Sequence, residues 1–238
     1  TAKGGSYLGE KEEFVTGVPL NVSDGVIGRD GNMYFAVGGR GTQSALYCVK
    51  YTGSELTKPK KSAGGAAAIA RAVRQEMEAF HGRQVAGAAA KIWPHLGHAD
   101  RSIRYASRVA LEHQPVAQWQ EKALAEKDPQ TALSALLALT RQGDAGLQGQ
   151  LLDSLSRLKI TELSEEQKLE ALRVLGLAFI RMGKPEADTA AEVAASLSPL
   201  YPAASDAMNR ELVAMLVYLG APEVVAKTVP LMSQDAAG

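Results

Sequence analysis

His98-Ala-Asp-Arg-Ser-Ile-Arg-Tyr-Ala-Ser-Arg-Val-Ala-Leu-Glu-His113 is the stretch that decides the fold class of this chain. Its apolar residues recur at three- and four-residue spacing, which places one stripe of a helix against a core. That stripe consists of Ile103, Ala106, Val109, Ala110 and Leu111. The charged residues Arg101, Arg104, Arg108 and Glu112 fall on other faces. The pattern therefore predicts an amphipathic helix.

The start of this helix is marked by Asp100. A carboxylate there accepts hydrogen bonds from unpaired backbone N–H groups and meets the positive end of the helix dipole. Arg104 follows four residues later, so the spacing also predicts an Asp100–Arg104 pair. The order Asp-x-x-Ile-Arg-x-Ala-x-x-Val-Ala-Leu resembles the second helix of a HEAT repeat. This resemblance implies an armadillo-like, HEAT-like α-solenoid.

Residues 66–238 repeat such helix signals. Asp128 is followed by proline, and Ser164 with Gln167 forms a capping box. The predicted helices are 66–80, 85–96, 100–113, 115–126, 128–139, 147–158, 164–182, 187–197, 205–219 and 223–232. Helix starts at Asp100, Asp128, Ser164 and Asp206 are separated by 28, 36 and 42 residues, which suits HEAT-like pairs with variable loops. Arg210 follows Asp206 at the same offset as Arg104 follows Asp100.

Residues 1–56 form a β-rich segment by pattern. An Asp-Gly turn at Gly31 separates two apolar runs, which predicts a hairpin. Ala45–Tyr51 then alternates as a third strand, in which Cys48 is expected to pack as a small core residue. Residues 57–65, rich in Lys, Pro and Gly, break every periodicity and are predicted to be a linker. The predicted fold class is thus mainly α, with a short antiparallel β-sheet preceding the helices.

The β-rich segment carries a second resemblance. Asp24-Gly-Val-Ile-Gly, Met33-Tyr-Phe-Ala-Val and Gly38-Gly-Arg-Gly-Thr-Gln-Ser occur in an order similar to the last blade of a six-bladed propeller in soluble sugar dehydrogenases that use pyrroloquinoline quinone. In large bacterial proteins of that type, HEAT-like helices and a cytochrome c domain follow the propeller. The resemblance implies an extracytoplasmic, periplasmic location and a quinone or haem in the full-length protein. This chain lacks the Cys-x-x-Cys-His motif that attaches haem, and a single blade cannot enclose the quinone site of a whole propeller. No cofactor is therefore expected in this chain.

Composition and charge limit the classes of function. The 238 residues are 46% hydrophobic and 5% aromatic, which favours closely packed helices. Twenty-six basic residues balance 26 acidic ones, with no dense basic stripe, which argues against a nucleic-acid partner. No apolar run is long enough for a membrane span. Since the chain begins at Thr1 instead of Met, it is expected to be a processed product or an excised piece.

Candidate metal ligands are few. His95 and His98 are close enough in sequence for joint ligation, with Asp100 or His113 as a conceivable third ligand. Loop histidines near a helix start are more often hydrogen-bonded or exposed, and this alternative is favoured here. Asp24, Asp30 and Asn32 lack the spacing of a calcium loop, so they are interpreted as turn residues.

Candidate interaction residues are polar and cationic. Arg40, Thr42 and Gln43 form the most polar loop of the β-rich segment, and Arg101, Arg104 and Arg108 line the non-core faces of the 100–113 helix. Their types suit contacts with a protein partner or a neighbouring domain. No catalytic constellation is predicted. The preferred hypothesis is a non-catalytic scaffold or protein-interaction module; the alternative is a structural segment of an extracytoplasmic quinone- or haem-dependent dehydrogenase involved in electron transfer.

Overall fold

The structure, a computed structural model, describes residues 1–39, 41–55 and 64–235, without the side chains of residue 42 and of residues 232–235. It confirms a mainly helical chain with a small antiparallel sheet. The chain divides into two compact units, one comprising residue 1 with residues 7–63 and the other residues 2–6 with residues 64–238. Most of the predicted linker lies outside the described residues.

The strands pair in two small sheets. A two-stranded sheet pairs β1 with β2, and a three-stranded antiparallel sheet has the order β3-β4-β5. The bounds are Ala2–Lys3 (β1), Ser6–Tyr7 (β2), Val22–Ile27 (β3), Met33–Gly39 (β4) and Thr42–Val49 (β5). The predicted hairpin is confirmed, with Gly31 at a φ of 79° in the turn between β3 and β4.

The β3-β4-β5 sheet buries little of its apolar surface. Phe35 and Val37 are its buried hydrophobic residues within the described part of the chain, and Phe35 stacks on Tyr47 with ring centroids 5.1 Å apart. Large apolar side chains are exposed on both faces of the sheet: Val22, Val26, Ile27, Leu46 and Tyr47. The expected burial of Cys48 is wrong, because it lies on the edge strand β5 and is exposed.

Ten α-helices make up the described part of the helical unit. Their bounds are Ala66–Glu78 (α1), Ala88–Ile92 (α2), Arg101–Glu112 (α3), Gln120–Ala125 (α4), Pro129–Gln142 (α5), Gln148–Ser156 (α6), Glu165–Met182 (α7), Ala187–Leu197 (α8), Asp206–Leu219 (α9) and Val224–Asp235 (α10). The helices at odd positions pack in succession, from α1 against α3 to α7 against α9. Helices α2, α4, α6 and α8 each pack on the odd-numbered helix that follows them. One hydrophobic core runs through the unit from Met77 to Val224.

Local capping chemistry explains where the helices begin. Asp100, Asp128 and Ser164 are N-caps as predicted, and Ser164 forms the full capping box with Gln167. The predicted start at Asp206 is off by one residue, because the hydroxyl of Ser205 accepts the Met208 N–H and makes Ser205 the N-cap.

Two predicted helices are interrupted. The helix expected from residue 85 begins only at Ala88, after Gly87 in a left-handed conformation, and continues as a 3₁₀ turn over Trp93–His95. The helix expected over 115–126 breaks at Trp119, whose φ of −140° ends a 3₁₀ turn. The Trp119 indole is 1% exposed and donates to the Gln114 carbonyl at 3.2 Å. Burial of this large side chain in the core therefore overrides the helical pattern.

Candidate functional site

The candidate site is a groove across α3, α5 and α7, with a volume of about 260 Å³. We call it the arginine groove, since four of its nine lining residues are arginines. The lining residues are Arg101, Arg104, Tyr105, Arg108, Leu133, Ser134, Leu137, Glu170 and Arg173. Leu133 and the half-buried Leu137, both on α5, give the groove an apolar floor beside these cationic side chains.

Arg104 is the buried arginine of the groove, with 9% of its surface exposed. Its Nη1 donates to the carbonyls of His98 and Ala99 at 2.9 and 3.0 Å, and its Nη2 donates to Glu166 Oε1 at 3.1 Å. The predicted pairing of Arg104 with Asp100 is wrong. The prediction that Arg104 lies away from the buried face of α3 is also wrong. The planar guanidinium instead joins the loop before α3 to α7, because its fork satisfies carbonyls and a carboxylate together.

The side chain of Asp100 accepts hydrogen bonds from backbone N–H groups. Its carboxylate accepts the Gly5 N–H at 2.7 Å and the N–H groups of Ser102 and Ile103 at 2.8 and 3.3 Å. These bonds hold the pKa of Asp100 below its ordinary value, the Gly5 N–H having the largest effect and the α3 amides adding to it. A Cβ at Gly4, which has a φ of 52°, would overlap this carboxylate. The hydrogen bond from Gly5 thereby links the segment around Gly5 to the start of α3.

Arg108 and Tyr105 form the wall of the groove that α3 contributes. Arg108 pairs with Glu112, which also accepts from Arg141 Nε at 3.0 Å. The Arg108 guanidinium lies 5.0 Å from the centroid of the Tyr105 ring, a cation–π distance. Tyr105 itself is 62% exposed. This wall therefore offers an aromatic ring and a partly neutralised cation to a ligand.

Arg101 and Arg173 are the unpaired cations of the groove. Both are exposed, one at the start of α3 and the other within α7. Among the described residues neither side chain has a hydrogen-bond or ion-pair partner. Glu170, the one carboxylate in the lining, is already engaged by Gln130 Nε2 at 2.6 Å and lies 3.7 Å from Arg104. Two free guanidinium groups beside a satisfied carboxylate suit the recognition of an anion.

Of the two candidate metal ligands, His98 is hydrogen-bonded locally. The rings of His95 and His98 lie 6.4 Å apart, and His98 Nδ1 accepts the Asp100 N–H at 2.9 Å. His113 lies beside His81 instead, with ring centroids 6.1 Å apart. Within residues 1–39, 41–55 and 64–235, no three His, Cys, Asp or Glu side chains are grouped closely enough to hold a metal ion.

The polar residues of the β unit divide into turn residues and interaction candidates. Asp30 accepts from the backbone N–H and the Nδ2 of Asn32 and from the Tyr34 hydroxyl, which confirms a turn role for Asp30 and Asn32. The same interpretation is wrong for Asp24, because it lies within strand β3 and pairs with Ala36 of β4. Arg40 and the side chain of Thr42 lie outside the described residues. Gln43 is exposed on β5. The structure does not join these three interaction candidates into a described site.

Sequence reasoning missed the contribution of α7. Glu166, Glu170 and Arg173 follow one another at four- and three-residue spacing, which places them on one helix face. That spacing is readable from the sequence, but the partner of this face is not. Arg104 lies 62 residues from Glu166, and only the packing of α3, α5 and α7 brings them together.

None of the helices in the described segments is both long and apolar enough to cross a membrane. The chain has no match among protein-family models, among curated protein sequences or among solved structures.

Proposed function

We propose that this protein is a non-catalytic interaction module built on a HEAT-like solenoid, and that its arginine groove binds an acidic segment of a partner protein. The observation that carries this proposal is the pair of exposed, unpaired cations Arg101 and Arg173 on two helices that flank one apolar floor. Guanidinium groups bind carboxylates with two parallel hydrogen bonds, so two of them fix both the position and the direction of an acidic chain.

The helix packing supports the HEAT-like part of the proposal. Helices at odd positions stack in succession, and shorter ones pack beside them, as expected when each pair buries one face on the next. Arginines also link stacked helices through backbone carbonyls. Arg181 on α7 donates to the carbonyls of Thr140 and Arg141 at the end of α5, at 3.1 and 2.8 Å. Such links favour a stack of repeated units.

The charge distribution favours an acidic protein segment over a nucleic acid. Glu112 and Glu166 neutralise two of the four groove arginines, which leaves two free cations in a groove of about 260 Å³. Nucleic-acid binding rests on the neutralisation of many phosphates along an extended basic surface. The whole chain carries no net charge. A short acidic peptide therefore matches the groove better than a nucleic acid does.

Fluorescence anisotropy with a labelled oligo-glutamate peptide tests this function. The variants Arg101→Glu and Arg173→Glu are each expected to weaken binding about tenfold, because each replaces a bidentate contact by repulsion. Arg83→Glu is the matched control, since Arg83 is exposed in the loop after α1 and lies outside the groove lining. Equal binding by all four proteins, or tighter binding of an oligonucleotide than of the peptide, would refute the proposal.

A second candidate function rests on the β3-β4-β5 sheet. Apolar side chains such as Ile27 and Leu46, 64% and 73% exposed, lie on opposite faces of a three-stranded sheet. A sheet that is apolar on both faces is typical of one covered by further layers of a larger assembly. The candidate is a structural segment of an extracytoplasmic quinone- or haem-dependent dehydrogenase.

The absorbance spectrum of the purified chain tests this second candidate. It is recorded with and without added pyrroloquinoline quinone and calcium. A Soret band or a stable quinone adduct would support the dehydrogenase segment. An unchanged spectrum, together with peptide binding by the arginine groove, would favour the interaction module.

A further inference from the structure

A second groove runs between α7 and α9, with a volume of about 380 Å³. Its lining is mainly apolar and includes Arg173, Gly176, Phe179, Ile180, Glu211 and Tyr218. Ile180 is 79% exposed at this groove. Tyr218, 44% exposed, stacks on Phe179 with ring centroids 5.7 Å apart. This α7–α9 groove thus presents apolar and aromatic surface to solvent.

The two grooves meet at Arg173, which lines both of them. Along α7, Gly176 follows Arg173 within the second groove, where the missing side chain leaves the passage open. Ile180 follows Arg173 by seven residues, or about 10 Å along the helix axis. An extended peptide covers that distance with about three residues. A single short segment can therefore contact both grooves at once.

We propose that the arginine groove and the α7–α9 groove form one docking surface for a protein segment that is acidic at one end and carries a large apolar side chain at the other. This inference rests on the proposed function, since the acidic end occupies the arginine groove. Glu211 in the second groove repels a carboxylate there, so charge complementarity fixes which end lies in which groove. The apolar end covers Ile180 and Tyr218.

Three labelled peptides test the docking surface on the full chain. One has an acidic block alone, one joins the acidic block to a leucine through a three-residue spacer, and one places the leucine directly beside the acidic block. The spaced peptide is expected to bind about tenfold more tightly than the acidic block alone, because leucine buries apolar surface at Ile180. The peptide without a spacer is expected to gain little.

Variants identify the groove that gives this gain. Ile180→Ser should remove the advantage of the spaced peptide and leave the acidic block bound as before. Val217→Ser is the matched control, because Val217 is 57% exposed on α9 and lies outside both groove linings. Arg173→Glu should weaken the binding of both the acidic block and the spaced peptide.

The outcomes separate the two proposals. Equal affinity of the spaced peptide and the acidic block would overturn the composite surface while the proposed function stands. Failure of every peptide to bind would overturn both. Sedimentation equilibrium tests whether a second copy of the chain occupies the α7–α9 groove instead. Self-association that Ile180→Ser abolishes would show that it does, and would overturn the inference.

Discussion

Asp100 links the pH dependence of stability to the start of α3. The hydrogen bond from the Gly5 N–H, followed by those from the α3 amides, lowers the pKa of Asp100 in the folded chain. A lowered folded-state pKa means that the stabilisation is complete above the ordinary carboxyl pKa and is lost as the pH falls through the folded-state value. Asp100 therefore contributes to stability at neutral pH and ceases to do so in acid.

We predict that Asp100→Asn reduces the loss of stability between about pH 7 and about pH 3. Asparagine keeps the one oxygen that caps α3 and does not titrate, but its amide NH2 replaces the oxygen that accepts the Gly5 N–H, so a loss of roughly 1 kcal/mol is expected at neutral pH. Urea unfolding at both pH values measures the effect. Asp153→Asn, at an exposed site on α6, is the control. An identical pH dependence in Asp100→Asn and the unmodified chain would contradict the prediction.

Arg104 stabilises the fold, whereas Arg101 is available to a ligand. We predict that Arg104→Ala lowers the free energy of unfolding by about 2 kcal/mol, because it leaves the His98 and Ala99 carbonyls without their buried donor. Arg101→Ala should change it by less than about 0.5 kcal/mol, as is typical of an exposed residue. Chemical denaturation of both variants measures the difference. Equal stability would mean that water replaces the guanidinium.

The helices show which features can be predicted locally. The N-caps Asp100, Asp128 and Ser164 depend on residues within one turn, so the sequence pattern located them correctly. The break at Trp119 depends on burial of its indole in the core, which no local pattern reveals. The same limit applies to the site. The sequence identifies the arginines of α3 as interaction candidates, but the contribution of Arg173 depends on the packing of α7 beside α5.

Gly176 tests the balance between stability and binding within α7. We predict that Gly176→Ala stabilises the chain by about 1 kcal/mol, the usual preference for alanine in a helix interior. The new methyl group would lie 3.7 Å from Met215 Cε, an ordinary contact without strain. Thermal or urea unfolding measures the gain.

The larger substitution Gly176→Leu should instead block binding of the spaced peptide in the α7–α9 groove, with binding of the acidic block retained. A destabilised Gly176→Ala would contradict this account.

At the scale of the whole molecule, burial is distributed unevenly between the two units. The helical unit has a continuous core from Met77 to Val224, with Leu136 and Leu139 of α5 fully buried. The described sheet β3-β4-β5 buries Phe35 and Val37. Local unfolding depends on the apolar area that each region buries, and a small sheet with few buried residues has little to oppose its conformational entropy.

We therefore predict that amide hydrogens of β3, β4 and β5 exchange with deuterium much faster than those of α3, α5 and α7. Hydrogen exchange followed by mass spectrometry measures both units in the same sample, so the helices serve as the internal control. Leu46→Lys, on the edge strand β5, should not change helix protection. Strand protection equal to that of α5 would contradict the prediction. It would mean that the exposed apolar faces at Ile27 and Leu46 are covered in solution, and sedimentation at several concentrations would then reveal whether a second copy covers them.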